Sequence, residues 1–213
     1  MSQFPITDKT EITRLAKRGA YDKETVYAIL DETLVCTLAY SINDQPFQIP
    51  TGFCRVGDKI YIHGSVGSHY LRQLAEKKMP VCITTMLLDG LVLARSAFHH
   101  SVNYRSVVMF STPELVTDPD ELYKALEVFT EKVCPGRWAE IRKPTAGEWK
   151  ATMVLSFDIT EASAKVRTGP PKDDEEDYNM DVWAGVLPVK QQRLVPIPDP
   201  ALKSGILTPK YLE

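Results

Sequence analysis

No stretch of this 213-residue sequence is apolar for long enough to cross a bilayer. A compact apolar run such as Leu34 to Tyr40 falls far short of the ~20 residues a spanning helix needs. The N-terminus, Met1 to Thr7, has no basic region leading into an apolar core, so no secretory signal is visible. Cysteine is sparse: Cys36, Cys54, Cys82 and Cys134 are scattered, and no C-x-x-C pair occurs. That spacing supports neither a zinc knuckle nor a thioredoxin motif. Three of them sit in apolar runs, where free Cys behaves as a small buried hydrophobe. A soluble protein of a reducing, cytoplasmic compartment, without a membrane partner, is the expectation. A basic excess is also missing: 25 Lys and Arg against 28 Asp and Glu give a net charge of −3. Nucleic acid is therefore not an expected partner. The sequence has no internal repeat, no G-x-x-x-x-G-K-[ST] loop, no H-E-x-x-H and no G-x-S-x-G elbow, which argues against a P-loop nucleotidase, a zinc hydrolase and a serine hydrolase.

What is present is ordinary globular material. Hydrophobic residues make up 44% and charged residues 25%, enough for a core that buries roughly 70% of the unfolded surface. Asp22 can cap a helix over Lys23 to Glu32 with Val26, Ile29 and Leu30 on one face. Leu34 to Tyr40 suits a buried strand, Asn43-Asp44 a turn, and Phe47 to Val56 an extended run whose Pro50 belongs at an edge or bulge. Gly57-Asp58 joins it to a strand over Lys59 to His63. Ser68 can cap a helix over His69 to Lys78, ended by Pro80. Val81 to Leu88, the Asp89-Gly90 turn and Leu91 to Phe98 read as a hairpin. A polar loop then leads to a strand from Ser106. Asp118-Pro119-Asp120-Glu121 opens a helix to Val133, with Leu122, Leu126 and Phe129 buried, and Thr152 to Ile159 is the last clear strand. The pattern predicts a mainly β fold with inserted helices, an antiparallel sheet closed as a small barrel. Residues 1–167 form the expected barrel domain. Residues 168–213, acidic and Pro-rich, read as an extended tail on the barrel or on a partner, with Thr168 to Asp177 a solvated loop.

Two constellations could carry chemistry. Arg95 to Ser106 (Arg-Ser-Ala-Phe-His-His-Ser-Val-Asn-Tyr-Arg-Ser) packs guanidiniums, hydroxyls, imidazoles and an amide around one loop. Arginine offers a planar fork that matches phosphate, so the loop suits a phosphorylated ligand; a polar surface hairpin with Arg95 in a salt bridge is the bland alternative. The second is Tyr61-Ile62-His63-Gly64-Ser65-Val66-Gly67-Ser68-His69, a strand, small-residue turn and helix start, where backbone N–H groups can receive an anion. It fits an ordinary capped connection equally. All four histidines, His63, His69, His99 and His100, fall in these segments. Without a supporting ligand motif they point to hydrogen bonding or proton transfer, and no metal site is expected.

Taken together, Gly57-Asp58-Lys59-Ile60-Tyr61-Ile62-His63-Gly64, the following short helix, Val81-Cys82-Ile83-Thr84, Asp89-Gly90 and His100 to Val107 resemble the pyridoxamine 5′-phosphate oxidase-like family. The closer likeness is to its FMN-binding subgroup that includes nitroimidazole-resistance proteins. The resemblance covers Thr25 to Val116 and continues through Pro135-Gly136-Arg137, Ala164 to Pro171 and Trp183 to Pro188. It implies a split β-barrel of the FMN-binding type, a homodimer, and FMN at the interface. Carried over residue by residue, Ile62, His63 and Ser65 lie at the strand end beside the isoalloxazine. Ser68 and His69 open the phosphate-contacting helix, and Asn103, Tyr104, Arg105 and Ser106 lie on the strand that faces the cofactor. His63 and His100 are the candidates for proton transfer.

The chain also departs from the oxidase proper. Gln48 to Phe53 carries no basic residue, Ser68-His69-Tyr70 stands where the oxidase has Ser-Arg-Lys, and the C-terminal Arg-x-His is missing. Phosphate contact then falls to Arg95, Arg105, His69 and Arg72, and pyridoxamine-phosphate oxidation is not expected. The expected function is an FMN-dependent oxidoreductase passing electrons from a reduced nicotinamide, NAD(P)H, or another donor to a small-molecule substrate. The alternatives are a non-catalytic flavin- or haem-binding module, with the histidine-rich loop giving an axial ligand, and a dimeric scaffold. Trp183 suits either a flavin cover or dimer packing.

Overall fold

The computed structural model describes residues 2–212. Strand β1 (Gly19–Ala20) precedes helix α1 (Lys23–Glu32), which Asp22 caps by accepting the Thr25 N–H. Then come β2 (Val35–Ile42), β3 (Gln45–Gly52), β4 (Cys54–Val56), β5 (Lys59–Ser65), helix α2 (His69–Lys77), β6 (Val81–Leu93), β7 (Ser101–Ser111) and β8 (Pro113–Leu115). Helices α3 (Pro119–Val133), α4 (Arg137–Glu140) and α5 (Ala146–Ala151) lead to β9 (Thr152–Asp158), β10 (Glu161–Arg167) and, within the tail, β11 (Gly185–Pro188).

The strands form two antiparallel sheets. The seven-stranded sheet runs β1-β10-β7-β6-β2-β3, with β11 on β6; the four-stranded sheet runs β4-β5-β9-β8. This is the expected mainly antiparallel, split-barrel fold with inserted helices, its two sheets left unjoined. Pro50 lies on β3, an edge strand as expected, and Asn43 and Asp44 both take positive φ in the β2–β3 turn.

The main core lies between the sheets and under α1 and α2. Phe53, Ile60, Ile62, Leu71, Leu74, Ile83, Met109, Leu155 and Phe157 are all fully buried there. Alternation along β5 sends Tyr61 the other way, into a smaller cluster with Cys54, Val116, Ala125 and Val154 beneath α3. The four-stranded sheet is thus covered on both faces. The expected α3 core positions Leu122, Leu126 and Phe129 are half-buried, and Ala125 is the α3 residue fully covered, because α3 lies on the outer face of the four-stranded sheet with its other side to solvent.

Four further readings are corrected. Asp89-Gly90 is not a turn: β6 runs through it as one strand paired with β7, and the register slips by one residue between Leu88 and Gly90. Leu91 to Phe98 is therefore no returning strand. The polar segment before Ser106 is largely strand, since β7 begins at Ser101. Thr152 to Ile159 is not the last strand, because β10 and β11 follow. Lastly, Thr168 to Asp177 is not wholly solvated: the Asp173 side chain is completely enclosed.

A Cβ on Gly90 would sit 2.9 Å from Val186 Cγ1 and 3.2 Å from the Leu187 carbonyl oxygen. The glycine is what lets β11 lie against β6. Gly90→Val is expected to lift β11 while leaving the barrel folded. Hydrogen exchange at the Gly185, Leu187 and Val189 amides, the alternate positions that face β6, should speed by about tenfold or more, against little change in β5 and β9.

Candidate functional site

At the β5–α2 turn, Ile62 points into the core and His63, next along the strand, points to the α3 side. The His63 ring meets Phe129 edge-on, centroids 4.5 Å apart at 75°. Burial pushes its protonation below the ordinary histidine range, so the ring is neutral at pH 7. Gly64 is required next, because a Cβ there would lie 2.6 Å from Leu71 Cδ1 and push α2 off the strand. Ser65 Oγ accepts the Gly67 N–H at 3.1 Å. Ser68 stands at the helix cap position without making a side-chain capping bond, and His69 opens α2 exposed to solvent.

The β6–β7 connection is tied to the tail. The Arg95 main-chain N–H and Nη1 each donate to Asp173 at 3.0 Å, and the guanidinium lies over the Tyr178 ring at 4.8 Å. His100 Nδ1 is 2.9 Å from the Ser96 carbonyl oxygen. His99 Nε2 lies 3.3 Å from Asp174 Oδ2, close enough for an ion pair, but the geometry makes no hydrogen bond. Arg95 Nε and Ser96 Oγ are likewise buried without a partner. Buried polar groups are nearly always paired, so this cluster marks a place where water or a ligand completes the bonding.

On β7, Arg105 is clamped from two sides. Its Nε and Nη2 donate to Asp89 at 3.0 and 2.9 Å, and Nη1 and Nη2 both reach Glu32 at the end of α1. The Glu32 and Asp89 bonds hold its proton more tightly than in an ordinary arginine, and Arg105 keeps the Glu32 carboxyl below the usual range. Ser106 Oγ donates to the Lys165 carbonyl oxygen at 3.3 Å. Asn103 is buried, with Nδ2 donating to the Gly169 carbonyl oxygen at 3.1 Å and Oδ1 accepting from Arg167 Nη1. Tyr104 is paired with Arg167 across β10 and with Leu88 across β6.

The candidates therefore separate by location. Ile62, His63 and Ser65 stand on the four-stranded sheet, with Ser68 and His69 beyond it at the start of α2; Asn103, Tyr104, Arg105 and Ser106 stand on the seven-stranded one. Arg95 and Arg105 already face carboxylates. Ser106 borders a shallow concavity of about 420 Å³ on the outer sheet face, with Val35, Thr37, Thr84, Met86 and Val108. A larger opening of about 690 Å³, near Tyr40, Cys82 and Phe110, contains none of the candidate residues. Sequence reasoning assigned no role to Asp89, Asp173 or Arg167. The Lys-Val-Arg before Gly169-Pro170-Pro171 was the available signal for the last.

The family model described as pyridoxamine 5′-phosphate oxidase matches residues 22–166. No curated protein matches the sequence. Among solved structures, the flavocytochrome Anf3 from Azotobacter vinelandii is 42% identical, with a TM-score of 0.89 over 97% of this chain and 95% of that one. An FAD and haem binding protein from Mycobacterium smegmatis is 37% identical, with a TM-score of 0.87 over 92% of this chain and 95% of that one. A protein from Bacteroides thetaiotaomicron described as a "putative 5-nitroimidazole antibiotic resistance protein" shares the fold at 19% identity, with a TM-score of 0.58 over 70% and 86% of the two chains.

His63 gives this region a pH signature. Its folded-state pKa lies below the unfolded value of about 6.5, so the unfolded chain binds the proton more readily. Stability is full above that value and falls as pH drops through the folded pKa. Denaturation midpoints measured from pH 7 to pH 5 are expected to decline, and His63→Gln should flatten that decline.

Proposed function

The chain belongs to the pyridoxamine 5′-phosphate oxidase family, and from that premise we propose that it is a flavin-nucleotide-dependent redox protein working as a homodimer. The observation that carries this reading is likeness over nearly the whole chain, at 42% and 37% identity, to a flavocytochrome and to an FAD and haem binding protein. FMN is the nucleotide the sequence resemblance implies, and FAD is the one named for the relative. The donor set fits such a group. The outer face of β2, β6 and β7 is an open shelf where Val35, Met86 and Val108 give a planar ring something to lie against, and Thr37, Thr84 and Ser106 bring hydroxyls to it.

A bound flavin supplies the exchange of electron pairs for single electrons. The chain's own part is to hold, orient and protect. Val35 and Met86, 55% and 59% exposed, leave this shelf open in one chain, and Leu88, Trp183 and Leu187 are exposed as well. A second copy over that face would exclude water from it. His63, neutral at pH 7, can accept a proton at a ring nitrogen. His100, fixed through Nδ1 at the Ser96 carbonyl, leaves Nε2 for the same task. The electron donor is a reduced nicotinamide, NAD(P)H, or another carrier, and the acceptor is a small oxidised molecule.

The relatives' names also favour a second ligand, haem. An imidazole that burial keeps neutral can ligate iron, and His63 meets that condition, with His69 close by in sequence on the exposed helix start.

The near-ultraviolet and visible spectrum of the purified full chain, repeated on titration with FMN, FAD and haem, tests both readings. Flavin bands that bleach with a nicotinamide donor and return in air are expected, with a Soret band on adding haem. Sedimentation should give a dimer. A colourless protein that quenches neither FMN nor FAD fluorescence overturns the flavin reading.

A further inference from the structure

Arg167, the last residue of β10, is only 7% exposed. Its Nη1 donates to Asn103 Oδ1 and, at 3.5 Å, to the Gly169 carbonyl oxygen, while its buried Nε has no partner. These acceptors are neutral. Among the described residues no carboxylate pairs with it, whereas Arg95 and Arg105 each meet acids. Burial, and then the charge of Arg18, weakens its hold on the proton, while Tyr104 acts the other way; the turn that ends at Arg18 lies against β10, which brings the second cation to this end of the strand. A buried arginine next to another arginine, without an acid, is costly unless an anion completes the site.

The fold gathers more positive charge there. Arg18 ends a short 3-10 turn (Ala16–Arg18) that runs into β1, and Gly19 pairs with Lys165 on β10. Lys165 Nζ donates to the Arg14 carbonyl oxygen at 3.2 Å, which draws this N-terminal segment onto β10. Arg14, Lys17, Arg18, Lys165 and Arg167 form no ion pair among the described residues. Asn103 and Tyr104 lie on the strand paired with β10 at this end, and Tyr104 is also opposite Leu88 of β6. The nest is therefore continuous with the strand that carries Ser106.

We propose that Arg167, with Arg18 beside it and Asn103 fixing its guanidinium, is a phosphate site, and that it receives the phosphate of the flavin nucleotide. The second half rests on the flavin reading above; the first does not. The fork of Arg167 supplies directional donors, and Arg18 supplies charge that no acid cancels. The site assigns phosphate recognition to the β1–β10 edge instead of to Arg95 and Arg105.

The test compares FMN with riboflavin, which has the same ring and no phosphate, by fluorescence quenching, and measures thermal stabilisation by inorganic pyrophosphate. Variants are Arg167→Lys, Arg167→Gln and the more exposed Arg18→Gln, each checked for folding by circular dichroism. The wild type is expected to prefer FMN to riboflavin. Each variant should lose about tenfold or more in FMN affinity with riboflavin unchanged, and lose the pyrophosphate shift. If no flavin binds but pyrophosphate stabilises the wild type and not the variants, the phosphate site stands and the flavin reading fails. Equal losses for FMN and riboflavin, or no loss in any folded variant, overturn the proposal. So does a result in which the variants change only the sedimentation of the dimer, since a carboxylate of the second copy would then be the partner of Arg167.

Discussion

One extra residue in β6 organises much of the large sheet. Before Asp89 the buried positions are odd-numbered, Val81, Ile83 and Thr85; after it they are even-numbered, Gly90, Val92 and Ala94. A strand that simply alternated would have turned its second half inside out. The register slip against β7 restores the core face and leaves Asp89 unpaired in the ladder. That freed carboxylate meets Arg105, which also ties down the C-terminal end of α1 through Glu32. On the far side of the slip, Gly90 presents a bare backbone on which β11 docks. Tail, helix and sheet are thus joined through two adjacent residues.

The slip also explains which parts of the fold were legible. Elements specified by local chemistry were read closely: α1 with its Asp22 cap, α3 with Asp118 accepting from Asp120 and Glu121, and the Asn43-Asp44 turn. Asp-Gly between two apolar runs carries the same local signal whether it closes a hairpin or forms a bulge. The decision lies with the partner strand, which the local sequence does not name. Met86-Leu87-Leu88 and Leu91-Val92-Leu93 are apolar at every position, so the switch of buried positions across Asp89 leaves no parity signal in the sequence. β10 is hard to read in the sequence for a different reason. Its core face carries Ala162 and Ala164, residues with little strand preference, and helix α1 lies against that strand.

Site legibility followed the same division. The polar residues were found because they cluster in sequence, but their partners come from afar: Asp173 reaches Arg95 from 78 residues away, and Glu32 reaches Arg105 from 73. A sequence shows that an arginine is present and not whether its charge is already spent. The stretch from Thr168 to Asp177 looked like a solvated acidic run, yet one of its carboxylates is the enclosed counter-ion that pins the β6–β7 connection. Composition averages over the run; function depends on the single residue that turns inward.

The arginines therefore fall into two classes with opposite consequences. Arg95 and Arg105 sit among acids, so bringing another anion to them means breaking ion pairs first, and their present contribution is to rigidity. Arg167 is held by neutral acceptors, with Arg18 adding repulsion where an acid could have brought relief. A chain folded without ligand keeps that repulsion as a local loss of stability. Any anion that binds there returns it, so affinity at this edge is drawn from energy the fold has left unspent. Position in the sheet makes the difference: β10 lies next to the edge formed by the short β1, where basic residues of the N-terminal segment arrive and no described carboxylate pairs with Arg167, whereas Arg105 lies beneath the acidic end of α1.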